Sequence, residues 1–116
     1  MALLGQSSGM KTTALLLAAA ALAGAARAAE PSAPRRAQLV EMVREDCGSC
    51  HGMTLKGGLG PSLLPEALAD KPDASLEATI LDGRPGTPMP PWRKFMTEDE
   101  ARWIVESLKK GFPRAP

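Results

Sequence analysis

Apolar residues recur at helical spacing in four stretches of the chain. From Arg35 to Asp46, Leu39, Val40 and Val43 form a stripe that continues to Cys47, predicting a first helix with one inward face. Met42 falls off that stripe and reads as packing or surface. Pro65 to Ala69 predicts a short helix opened by proline at its first position. Asp73 to Leu81 predicts another, with Leu76 and Ile80 on one face, Asp73 or Ser75 as N-cap and Gly83 past its end. Both are too short to persist in water without packing. Thr97 to Lys110 is the most clearly marked. Thr97 and Glu100 make a capping box, Glu98 and Asp99 suit the positive helix end, and Ala101, Ile104, Val105 and Leu108 form the buried stripe. Lys109, Lys110 and Gly111 close it. Phe112 to Pro116 reads as a frayed tail.

Two segments between these helices cannot be regular. Gly52 to Pro61 holds four glycines, which let backbone pass close to a flat ring. Arg84 to Trp92 holds four prolines between positions 85 and 91. They exclude helix and central strand and leave Met89 in an extended, stiff segment.

The N-terminus carries Lys11, an unbroken apolar run from Ala14 to Ala23, and then Ala26-Arg27-Ala28. This predicts a cleavable signal peptide over residues 1–28; an uncleaved anchor is the alternative, but the run is too short to cross a bilayer. Residues 29–34, with Pro31 and Pro34, read as a flexible lead-in, and 35–112 as one small domain. Losing Lys11 and Arg27 takes the 14 basic residues to 12 against 13 acidic ones, a formal charge of −1. That balance favours neither nucleic acid nor an anionic membrane.

The only two cysteines and the only histidine fall together in Cys47-Gly48-Ser49-Cys50-His51, the spacing of a c-type haem attachment site. Each thiol can bond one vinyl group of the same haem while His51 reaches the iron. A thioredoxin-like pair would follow a strand in a βαβ pattern, and nothing around Cys47 alternates. A zinc site lacks further Cys or His ligands, and a disulfide over two intervening residues would be strained. A haem would also give so small a chain an apolar body to wrap. A metal-bound histidine donates its other ring N–H to an acceptor, for which the Pro61 carbonyl is the candidate; a plain Gly-Pro turn remains the alternative. Met89, on its rigid loop, is the candidate second axial ligand, ahead of Met96, which precedes a helix cap, and Met53, too near His51 to reach the other haem face. Trp103 lies beside the last helix's stripe, where the seam with the first helix and a haem edge both stay open to it.

An attachment motif after a first helix, a Gly-Pro loop, a proline-bracketed methionine and a capped final helix together resemble the small class I cytochromes c. The resemblance implies an all-α, class I cytochrome c fold, with three to four helices wrapped around one covalent haem c and the first and last helices crossing. It implies Cys47 and Cys50 as thioether attachments, His51 and Met89 as iron ligands, and Pro61 as the partner of His51. Haem attachment of this kind occurs outside the bacterial cytoplasm, which fits a periplasmic location. The chain has no tyrosine, so contacts that relatives make from tyrosine to a haem carboxylate must come from Trp92, Trp103 or arginine, or be absent.

More closely, Asp46 to Gly52, Gly57 to Pro61 and Asp82 to Pro90 are similar to the NirC group, small periplasmic cytochromes associated with cytochrome cd-type nitrite reductase. This implies electron exchange with that reductase, or with the proteins that mature its haem d. A single-haem electron carrier is the expected function. An open-site enzyme or gas sensor is the alternative from another class, disfavoured because no second histidine or acid–base pair is available. Lys56, Lys71, Arg84, Arg93 and Lys94 fall where they could border the haem edge and steer an acidic partner, or be ordinary solvated charges.

Overall fold

The computed structural model describes residues 29–113, together with Leu3 and Gly5. The expected signal peptide otherwise lies outside the described residues, as do residues 114–116. Among the described residues there is no strand, and no helix is long and apolar enough to cross a membrane.

A continuous helical run opens the domain. It comprises α1 (Ala33–Met42), a π-helical turn (Val43–Cys47) and α2 (Gly48–His51). It starts two residues earlier than the apolar stripe suggests, because Ser32 acts as N-cap, its hydroxyl accepting from the Arg35 N–H, and Pro34 sits in the first turn, where a missing N–H costs nothing. The π turn is legible in no residue pattern. In it the Gly48 N–H reaches the Val43 carbonyl, five residues back, and the Ser49 hydroxyl donates to the Asp46 carbonyl at 2.7 Å.

Helix α3 (Pro65–Leu68) begins on its proline as expected. Helix α4 (Asp73–Asp82) is capped by neither Asp73 nor Ser75. Its N-cap is Pro72, whose carbonyl accepts from the Ser75 and Leu76 N–H groups, while the Asp73 carboxylate turns to Lys109 Nζ, 2.6 Å away. Helix α5 (Glu98–Lys110) has both halves of the Thr97–Glu100 capping box.

Helix α5 packs on α3 and α4. Its Ala101, Ile104 and Leu108 join Leu39, Val43, Leu55, Leu68, Leu81 and Met96 in one core cluster, with Met42 packed against it. The first helical run is tied to α5 at both ends. Arg35 forks onto the Glu100 carboxylate at 2.8 and 3.0 Å and also donates to the Phe95 carbonyl. Arg44 donates to the carbonyls of Phe112 and Pro113, and its guanidinium lies 5.4 Å from the Phe112 ring centroid. Phe112 and Pro113 are therefore held in place, not a frayed tail. Trp103 meets Phe112 edge-on at 6.3 Å and does not line the cavity.

Candidate haem-binding site

The fold encloses a cavity of about 900 Å³ whose walls are mostly apolar. The first helical run presents Val43, Cys47, Cys50 and His51 to it, α4 presents Leu76 and Ile80, and α5 presents Ile104, Val105 and Leu108. Burial pushes the Cys47 thiol up to about 11, with the neighbouring Asp46 carboxylate adding to the effect, so in the folded chain it stands as a neutral group on an apolar wall.

Local chain geometry orients His51. Helix α2 ends at Gly52, and the following loop folds back so that Gly60 N–H donates to the Cys50 carbonyl and Gly57 N–H to the His51 carbonyl, each at 2.8 Å. These bonds satisfy carbonyls that a helix C-terminus leaves without partners. The return brings Pro61 O to 2.7 Å from His51 Nδ1. A carbonyl only accepts, so Nδ1 carries the proton and donates, and Nε2 keeps its lone pair for a metal. Gly60 lies flat against the imidazole: a Cβ there would come within 2.7 Å of Nδ1 and Cε1. The Gly-Pro sequence is thus both the bend and the acceptor.

Met89 is held by a separate device. The Arg84 N–H donates to the Met89 carbonyl, Thr87 returns its N–H and hydroxyl to the Arg84 carbonyl, and the Thr87 hydroxyl accepts from the Met89 N–H. The Trp92 and Arg93 N–H groups then bond to the Ile80 and Leu81 carbonyls at the end of α4. Gly83, at φ +69°, backs this closure; a Cβ there would sit 2.7 Å from the Met89 carbonyl oxygen. Met89 lines the cavity, half-buried. Met96 also reaches its wall, but as a member of the core cluster. Met53 is 62% exposed and lies outside the lining.

Five of five expected site residues, Cys47, Cys50, His51, Pro61 and Met89, therefore border one cavity. The flat approach of Gly60 to the imidazole, the two thiols at the wall and the apolar lining fit a covalently held haem. The five expected edge cations divide: Lys71 and Arg84 line the cavity, Lys56 and Lys94 do not, and Arg93 is engaged with Asp82 and Glu98. Sequence reasoning did not place the α4 face of Ser75 and Thr79 in the lining; their polarity hides the wall they share with Leu76 and Ile80.

Helices, motif and cavity together define a single-haem c-type cytochrome of class I. Residues 34–106 match the family described as cytochrome c oxidase, cbb3-type, subunit III. The chain is 58% identical over 81 residues to cytochrome c55X of Pseudomonas aeruginosa, spanning 70% of this chain and 68% of that one. It is 57% identical to a solved c-type cytochrome NirC, with a TM-score of 0.69 over 70% of this chain and 95% of the other. The chain therefore belongs to this cytochrome c domain family, and within it to the NirC-like mono-haem cytochromes c, which carry one covalent haem c. A more distant likeness is to dihydro-heme d1 dehydrogenase of P. aeruginosa, 37% identical over 75 residues, which span 65% of this chain but 15% of that protein. The solved dehydrogenase NirN in complex with DHE gives a TM-score of 0.57.

Proposed function

We propose that the protein is a periplasmic single-haem electron carrier, with His51 and Met89 as iron ligands and cytochrome cd-type nitrite reductase as its redox partner. The observation that carries this reading is the hydrogen bond from His51 Nδ1 to Pro61 O, which leaves Nε2 free in the same cavity that Met89 lines. Haem iron supplies one-electron chemistry. The residues around it would do the rest: Cys47 and Cys50 would hold the group by thioether bonds, Pro61 would fix the orientation of the imidazole, and Met89 would take the position that a substrate or gas needs. With His51 and Met89 both committed to the iron, the group would exchange electrons without bond-making at the protein.

The likeness to dihydro-heme d1 dehydrogenase favours a second reading, in which the carrier serves maturation of the reductase's haem d. Two measurements test these assignments. Carbon monoxide added to the reduced protein leaves the visible spectrum unchanged if His51 and Met89 both bind iron; a shifted Soret band removes Met89 from its role. Rapid mixing of the reduced protein with nitrite reductase oxidises it if the donor reading is right. Failure there, with electron uptake from the dehydrogenase, transfers the function to maturation.

A further inference from the structure

Three charged residues line the cavity: Asp46, Lys71 and Arg84, besides the histidine His51. A haem brings two carboxylates; of the two aromatic candidates for them, Trp92 lines the cavity with one N–H to offer, while Trp103 lies outside the lining against Phe112. Lys71 and Arg84 precede and follow α4, at opposite ends of a ten-residue helix, and so stand at different parts of the wall. Among the described residues neither makes an ion pair, whereas Arg93, close by in sequence, pairs with Asp82 and Glu98. Arg84 differs from Lys71 in one further respect. Its backbone is the root of the Met89 loop, donating to the Met89 carbonyl and accepting twice from Thr87.

From these placements we infer that Arg84 is the site for a haem carboxylate, and that it positions the Met89 loop through the same residue. A guanidinium stays charged at all working pH values and offers several N–H donors to one carboxylate, so the pairing holds the carboxylate ionised. An anion beside the haem favours the oxidised iron, and Arg84 offsets that field. The residue therefore keeps the reduction potential higher, and less dependent on pH, than an unpaired carboxylate would allow. The inference rests on the haem site described above, and its failure is separable from failure of that reading, because ligand loss is read independently by carbon monoxide.

The test is potentiometric titration of the purified holoprotein across pH for wild type, Arg84→Gln, Arg84→Lys, Lys71→Gln and Lys94→Gln. In Arg84→Gln the midpoint potential is expected to fall at neutral pH, and the descending part of its pH profile to move to higher pH as the carboxylate becomes easier to protonate. Arg84→Lys should restore most of both effects, and carbon monoxide should still leave the Arg84→Gln spectrum unchanged. The inference is overturned if the Arg84→Gln profile coincides with wild type, if Lys94→Gln shifts it equally, or if Lys71→Gln alone does so. A potential that falls with no movement of the profile also overturns it, since the charge would then act on the iron without a carboxylate.

Discussion

His51 has two ring nitrogens, and the fold ties one of them to Pro61 while a glycine lies flat on the ring. Gly60→Ala puts a methyl group 2.7 Å from Nδ1 and Cε1. The ring must turn or the loop must lift, at a cost of about 1–3 kcal/mol by denaturant unfolding, with a changed Soret spectrum. Gly60 looks like part of a simple turn in the sequence, and its contact with the imidazole is visible only once the loop closes back. At the other ligand, Met89→Ala should let carbon monoxide shift the spectrum of the reduced protein and should lower its potential. Met96→Leu, a volume-conserving change in the core, should leave that spectrum as it is; the opposite pattern would exchange the roles of the two methionines.

Between elements, the pairing of Arg35 with Glu100 joins the start of α1 to the start of α5. The side chains keep 30% and 15% of their exposure, so solvent screens the pair only in part. The Glu100 carboxyl is held below its ordinary value, chiefly by the hydrogen bond from Arg35, and the Thr97 N–H adds to this. A depressed carboxyl stabilises the fold fully above the unfolded-chain value and loses that contribution as pH falls through the folded one. Arg35→Gln should therefore lower stability by about 1 kcal/mol at neutral pH, and its denaturation midpoint should approach that of wild type below about pH 4. A gap that stays constant with pH would assign the loss to packing instead. Thr97→Ala, which removes the cap oxygen, should cost about 1 kcal/mol. Helix α5 was legible because capping box, stripe and closing lysines all lie within it. The start of α1 and the cap of α4 were not, since Ser32 lies outside the apolar stripe and Pro72 caps through its backbone carbonyl, which any residue can supply.

At the scale of the whole domain, core and cofactor site are one body, since Val43, Leu68, Met96, Ile104 and Leu108 belong to both. Without haem the apolar walls of a cavity of about 900 Å³ would be left open to water, which removes much of the apolar burial that so small a domain relies on. A Cys47→Ala/Cys50→Ala protein prepared without haem should lack a cooperative thermal transition by circular dichroism, and a sharp transition would show that the helices stand without it. The sequence announced the haem through five adjacent residues, but the cavity that receives it is assembled from α4, α5 and two loops far apart along the chain. The π turn adds a consequence for how this lineage can change length. Because the turn already holds one residue more than the α-helical turn it replaces, deleting one residue between Val43 and Cys47 would let the ladder close as α-helix with both thiols and the imidazole in phase, whereas inserting one would swing them by about 100° around the axis. A residue lost between Met53 and Leu59 would disturb the return that buries Leu55 in the core and brings the Gly57 N–H to the His51 carbonyl. Among its kin, natural losses of one residue should therefore fall in the turn before His51 and spare the loop after it.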